Sequence, residues 1–386
     1  MSLPGSEETK VLQANPTPGE RIEGLDVWRV ALMLGGLLLH GSLWQPPQPL
    51  FTVVGLVSSA FRMGCFFALS GLLCGMALRR RTLREWLVRR LVQIGLPMSF
   101  GWGVLCPSVL MLARWYPHAP VPLMFDWHHI WFLVALLMYA PATVALYRLD
   151  DRRGLIGNFA TMVAAGSPAQ LLLRLALASF VLMVWTRFLV YLIAPKPLVP
   201  MLGQAPNISG YLPLYLFGLA MARSPILGDT LWRSVRPATT ILAVVGALYT
   251  AVMLTAPMSP QTYQMHGLLR MVAAALCPPA AFALIYRSAI AMSKVHPLIK
   301  KLCDASLTIY LLHLPLLLAL NAALAPLHWH PYIQFVVAIA MAGGLSYATH
   351  VCIVRQVPLL SLIVNGRTES WPRLMRFRLS MLRART

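Results

Sequence analysis

The residue best suited by type to move a proton at neutral pH is His40, an imidazole set inside the apolar run DVWRVALMLGGLLLHGSLW. Its unperturbed pKa, near 6.5, suits general-base work. Arg29 precedes it by eleven residues. On a helix that is just over three turns, so the two side chains share a face within roughly 20° and stand about 16 Å apart along the axis. Gly35 and Gly36 lie between them and admit another helix or a ligand. Arg62 and, further on, Ser70 occupy a second apolar run, FRMGCFFALSGL, and His313 a third, DASLTIYLLHLP. His128, His129 and Trp131 open another, and Arg187 and Arg270 lie within two more. Ionisable groups inside such runs are costly and mark function by default. Cations and histidines with scarcely any carboxylate among them suit an anionic ligand. Plainer readings stand beside this one: Arg29 as a snorkelling anchor and His40 as an interhelical hydrogen bonder. Asp26 and Asp304 are expected as helix N-caps. The six cysteines show no C-x-x-C spacing and no neighbouring histidine pair, so they are expected as small buried hydrophobes, with no metal site.

These residues need helices that cross a bilayer. The chain is 58% hydrophobic and only 11% charged, with mean hydropathy +0.67. A soluble domain carries roughly twice that charge fraction. The net charge of +20 does not signal nucleic acid, because the basic residues sit in short clusters between apolar runs. Runs long enough to span fall at 27–44, 50–78, 91–113, 130–147, 171–193, 208–222, 238–254, 268–286, 307–324 and 332–354, the sixth and eighth being the weakest. Arginine and lysine crowd every second connection, as at Arg79, Arg80, Arg81, Arg84, Arg89 and Arg90, while the other connections hold mainly Arg114 and Lys196. The positive-inside rule then predicts an all-α, polytopic transmembrane bundle of about ten helices with both ends in the cytoplasm. It divides into a cytoplasmic lead-in at 1–24, with no cleavable signal peptide expected, a membrane domain at 25–356 and a basic cytoplasmic tail at 357–386. The segment 148–170 reads as a loop containing glycine and charges.

Several motifs resemble the membrane acyltransferase-3 family, and within it the periplasmic-glucan succinyltransferase branch. They are LDVWRVALMLGGLLLH, SSAFRMGCFFALSGLL, WLVRRLVQIGLPM, HIWFL and DASLTIYLLHLPL, in family order from Gly24 to about Leu317. Leu314 departs from nothing essential: relatives vary at that position, which bears on acceptor details. The resemblance implies transfer of an acyl group, succinyl or acetyl, from cytoplasmic acyl-CoA to a hydroxyl of a glycan on the far side. It matches His40 to the family's essential histidine and Arg29 to its partner arginine. Arg62, Ser70, Arg89, Arg90, His129, Trp131 and His313 match further motif positions. It also implies a multi-pass protein of the bacterial inner membrane.

On this reading His40 takes the proton of a sugar hydroxyl as it attacks a thioester; a transient acyl-histidine remains an open variant. Arg29 and the arginines between 79 and 90 hold CoA phosphates, or serve topology alone. Arg62 or His313 stabilises the oxyanion or pairs with a succinyl carboxylate. The expected partners are the lipid bilayer, acyl-CoA as donor, and a glycan acceptor, a periplasmic glucan or an exopolysaccharide of cellulose type. Components of a polysaccharide synthase or export complex are further candidates; no nucleic acid and no tightly bound cofactor are expected. Two other classes compete: a transporter or flippase for an anionic glycan, and a scaffold within such a complex. Against the transporter, no pair of similarly interrupted spans is visible in two halves.

Overall fold

The computed structural model describes residues 22–46, 48–115, 127–199, 201–255, 259, 262–292 and 294–367. Among these the chain forms thirteen helices, counting Leu83–Trp115 as one, and no strand. In order they are α1 (Glu23–Leu43), α2 (Pro49–Leu78), α3 (Leu83–Trp115), α4 (Trp131–Arg153), α5 (Leu155–Ala164), α6 (Pro168–Ile193) and α7 (Ala205–Met221). Then come α8 (Pro225–Arg233), α9 (Val235–Thr255), α10 (Tyr263–Ala291), α11 (Pro297–Leu324), α12 (Pro331–Thr349) and α13 (Pro358–Asn365).

Eight of them (α2, α3, α4, α6, α9, α10, α11 and α12) are long and apolar enough to cross a membrane. The other two expected spans are also helices. One is α1, whose 21 residues carry Glu23, Asp26 and Arg29; the other is α7, of 17 residues. At 1.5 Å per residue α7 is about 26 Å long, slightly under a hydrocarbon core of ~30 Å. The eighth run, one of the two weakest by sequence, is the continuous 29-residue α10 with Pro278 and Pro279 inside it. The fold is thus the all-α, multi-pass bundle that hydropathy implies.

Contacts between distant segments respect the alternation of basic and bare connections. At the arginine-rich end Lys300 meets Glu23 at 2.5 Å, Trp28 donates to Ser288 at 2.7 Å, and Arg367 pairs with Asp304. Arg223 bridges Asp150 (2.5 Å) and Asp151 (2.8 Å) there. Burial works against its charge, but those two carboxylates outweigh it and hold the guanidinium pKa above its ordinary value. At the opposite end Gln45 donates to Asn321 at 2.7 Å.

Local chemistry explains several starts and bends. Thr82 with Glu85, and Ser167 with Gln170, form capping boxes that begin α3 and α6. Helix α3 widens into π turns at Leu91–Gly95 and Gly101–Leu105, each just ahead of a proline, Pro97 and Pro107. A proline ring clashes with the carbonyl four residues back, and here both such carbonyls lie in a widened turn.

The tightest helix pair is α2 with α7. Gly71 lies against the Tyr215 carbonyl and the Leu219 backbone, and Gly218 against the Ala68 carbonyl and the Leu72 backbone. A side chain at either glycine would run into main chain, which cannot swing aside. Gly71→Val is therefore expected to destabilise the bundle by about 1–3 kcal/mol or more. Gly246→Val on α9, where a Cβ meets nothing within 4 Å, is the matched control. Thermal unfolding of both in detergent tests this; equal midpoints would refute it.

Four expectations are corrected. Most of 148–170 is helix: α4 runs on to Arg153, and after Gly154 (φ 59) comes α5. Asp26 is no N-cap, since Ile22 holds that position and Asp26 pairs in the first turns with Arg29 at 3.6 Å. Asp304 lies well inside α11, whose cap is His296, and faces His350 at 3.3 Å. Cys352 is exposed on a π turn, while the other five cysteines are buried. The last described residues are docked on the bundle. Thr308 donates to Asn365 at 2.9 Å, and Gly366 (φ 61) rests on the backbone of Gln93, where a Cβ would not fit. Residues 1–21 and 368–386, most of the expected lead-in and tail, lie outside the described residues.

Candidate functional site

Three helices and one helix start converge on a cavity of about 90 Å³. Helix α1 contributes Met33, Gly36 and His40; α2 contributes Arg62, Met63 and Phe66; α11 contributes Ser306, Leu307, Tyr310 and His313. His129, Trp131 and Phe132 arrive from the start of α4. Spacings of three, four and seven residues place each set on one helical face. His129 follows His128, whose backbone is left-handed (φ 41), a rare conformation for a non-glycine residue at the turn that leads into α4.

Three imidazoles stand in a row. The ring centroids of His40 and His313 are 5.2 Å apart, and those of His313 and His129 5.1 Å. Backbone carbonyls fix two of the tautomers. His313 Nδ1 lies 2.6 Å from the Tyr310 carbonyl, and His129 Nε2 lies 3.0 Å from the Leu311 carbonyl. A carbonyl only accepts, so each of these nitrogens carries the proton. In the neutral rings His313 Nε2 and His129 Nδ1 are then bare lone pairs, and both are buried without a hydrogen-bond partner. The Tyr310 hydroxyl donates to the His129 carbonyl and ties α11 to the start of α4.

Arg62 supplies the positive charge. Its Nε donates to Ser58 at 2.8 Å and Nη1 to the Leu32 carbonyl at 3.4 Å. The side chain lies across Gly35 and Gly36, where added Cβ atoms would stand 3.0 Å from Cδ and from Nη1. The close approach that the two glycines permit is thus that of Arg62. Among the described residues, no Asp or Glu lines the cavity.

The other residues singled out by sequence lie elsewhere. Arg29 is near the basic end, about 16 Å below His40 along α1, with its Nε buried and unpartnered. Ser70 is buried on α2, roughly 12 Å from Arg62 along the axis. Arg89 is exposed at the end of the first segment of α3; Arg90 is half-buried, with Nε and Nη2 enclosed and without a hydrogen-bond partner. The structure therefore brings His40, Arg62, His129, Trp131 and His313 together and leaves Arg29, Ser70, Arg89 and Arg90 outside the cavity. Sequence reasoning missed Tyr310 and Ser306. Stepping back three and seven residues from His313 along α11 would have found both.

A model of the acyltransferase-3 family, described as an acyltransferase domain, matches residues 22–351. Two curated relatives, both named glucans biosynthesis protein C, are similar over nearly the whole chain. The protein from Escherichia coli O157:H7 is 24% identical over 383 residues, 92% of this chain and 96% of its own length. The one from Salmonella enteritidis PT4 is 24% identical over 379 residues, 91% and 96% respectively. No solved structure matches at a significant level. With a family match that covers the ten helices and every residue of the histidine cavity, the chain belongs to the acyltransferase-3 family and is a multi-pass membrane acyltransferase.

Proposed function

We propose that the chain is an O-acyltransferase that takes a succinyl or acetyl group from acyl-CoA at its basic, cytoplasmic end. It would transfer that group to a hydroxyl of a glucan on the other side of the bacterial inner membrane. The observation that carries this reading is the row of histidines around a charged cavity with no carboxylate among its described lining residues. Its volume, about 90 Å³, is well under the ~300 Å³ at which small-molecule sites begin, so it suits the reacting ends of two substrates that enter from opposite faces. The relatives' name supports a glucan as acceptor.

In this mechanism one nitrogen of His40 takes the acceptor's proton as its oxygen attacks the thioester carbonyl. The opposite ring nitrogen of His40 carries a proton, which the open Nε2 of His313 can accept. His313 then orients His40 as a carboxylate does in a triad. The tautomer that Tyr310 imposes leaves neutral His313 no N–H to offer an oxyanion. That role falls to Arg62. The tetrahedral intermediate collapses, the C–S bond breaks, and the CoA thiolate takes the proton back from His40.

Arg90 serves the donor, since its buried, unpartnered Nε and Nη2 suit a bidentate phosphate contact. Arg29 would assist with its enclosed Nε. Arg90→Gln is expected to raise KM for acyl-CoA by about 10–100-fold with kcat little changed, because loss of one charged hydrogen bond is worth roughly 1.5–3 kcal/mol. An unchanged KM in folded protein would reduce Arg90 to a topological anchor.

The whole reading is tested in proteoliposomes, with labelled acyl-CoA supplied only at the basic face and a β-glucan oligosaccharide only at the other. Label in ester linkage on the glucan is the expected result. Glucan moved without covalent change would replace the enzyme with a transporter.

A further inference from the structure

A second cavity, of about 270 Å³, lies at the end of the bundle opposite the basic one, among the last turns of α6 and the first of α7 and α10. It holds two guanidinium groups, Arg187 and Arg270, and one imidazole, His266, with no Asp or Glu among the described residues of its lining. His266 is 4% exposed, and its Nε2 is buried without a partner. Three cationic or donor groups that converge without a counter-ion form an anion site. The rings of Tyr211 and Tyr249 complete the wall and give flat apolar faces beside hydroxyls, the surface a sugar ring requires.

This cavity adjoins the histidine cavity. Ser59 and Arg62 are three residues apart on α2, the first lining the outer space and the second the inner one. Arg62 is also close enough to interact electrostatically with both Tyr211 of the outer cavity and Tyr310 of the inner. A saccharide seated in the outer cavity therefore has one turn of α2 between it and the reacting groups.

We propose that the outer cavity binds an acidic substituent, phosphate or carboxylate, on the saccharide acceptor, and so selects which acceptors reach the histidines. This rests on the reading above in placing the acceptor at the non-basic end. Arg187 and Arg270 grip the anionic oxygens, His266 Nε2 supplies the third polar contact, and the tyrosines pack the ring.

Binding of glucose 6-phosphate and of glucose to the full chain in phosphatidylcholine nanodiscs tests it, with no acyl donor present. Glucose 6-phosphate is expected to bind at least about tenfold more tightly. That preference should vanish in Arg187→Gln/Arg270→Gln and persist in Arg270→Lys. Arg270 is exposed, so Arg270→Gln alone, expected to weaken the preference, provides a variant with no buried group disturbed. Equal binding of the two sugars, or a preference that survives the double change, overturns the proposal. If phosphatidylglycerol discs abolish glucose 6-phosphate binding and Arg270→Gln relieves that block, the cavity takes lipid headgroups and the saccharide assignment falls. His40→Ala is expected to bind glucose 6-phosphate as the native chain does. A failed transfer reaction with the charge preference intact thus counts against the acyl-transfer reading alone, and a lost preference with transfer intact against this proposal alone.

Discussion

Replacement of His40 by alanine is expected to lower kcat for glycan acylation by about 10²–10⁴-fold, the range a positioned general base contributes. KM for acyl-CoA should stay within about threefold, because Arg29, about 16 Å away along α1, and Arg90 on α3, the groups assigned to the phosphates, lie outside the histidine cavity. The proposed pairing of His40 with His313, whose ring centroids are 5.2 Å apart, has a sharper consequence for His313. Asparagine places its amide N–H near the position of Nδ1, so His313→Asn can keep the hydrogen bond to the Tyr310 carbonyl while it removes the lone pair at Nε2. It is expected to lose activity because His40 loses its orienting partner. If the two imidazoles act as one unit, His40→Ala/His313→Asn will be scarcely slower than His40→Ala, since residues that act together are strongly non-additive. Rates from radiolabelled acyl-CoA on reconstituted protein decide this. Substantial turnover in His40→Ala removes the base from the mechanism. Additive losses separate the two histidines into independent roles.

Much of the fold was legible because a membrane leaves the chain few choices. Each of the ten runs had to be a helix, as backbone groups cannot go unpaired in lipid. The alternation of arginine-rich and bare connections then ordered them. Two kinds of feature escaped. The segment 155–164 is a short helix; its glycine and flanking charges read as loop, and its packing against the bundle, with Ile156, Ala160 and Val163 buried, makes it helical. Asp26 and Asp304 were misjudged because capping depends on where a helix begins, and both helices begin earlier than their apolar runs do.

Depth along a helix follows from counting residues, so the shared level of His40, Arg62 and His313 was accessible from sequence. Rotation was less so. That Arg62 points at α1, across Gly35 and Gly36, and that Ser70 does not share its cavity, depend on how α2 turns when Gly71 and Gly218 lock it to α7. The outer cavity was out of reach for the same reason. Arg187, His266 and Arg270 stand on two helices separated by three others, and no periodicity relates them.

Arg62→Lys keeps the charge and is nonetheless expected to cost about 10²–10³-fold in kcat, the loss seen when one preorganised oxyanion donor is removed. Lysine cannot reproduce the fork that bonds Ser58 and the Leu32 carbonyl with some N–H groups and leaves others free. Its ammonium, on a flexible stem, would have to be ordered by the substrate itself. Such a loss corresponds to roughly 2.7–4 kcal/mol of transition-state stabilisation. Gly36→Ala separates position from charge. The new methyl would stand 3.0 Å from Nη1 of Arg62, at the end of a flexible side chain, so the helix can persist while the guanidinium shifts by a few tenths of an ångström. A loss of about tenfold in kcat with unchanged thermal stability is the expected result, since misplacement of this kind is felt in the transition state before it is felt in folding. If Gly36→Ala is fully active while Arg62→Lys is not, Arg62 works through its number of donors and not through its placement. If both are fully active, neither the guanidinium fork of Arg62 nor its placement against Gly36 is required, and the oxyanion is not held by a preorganised Arg62.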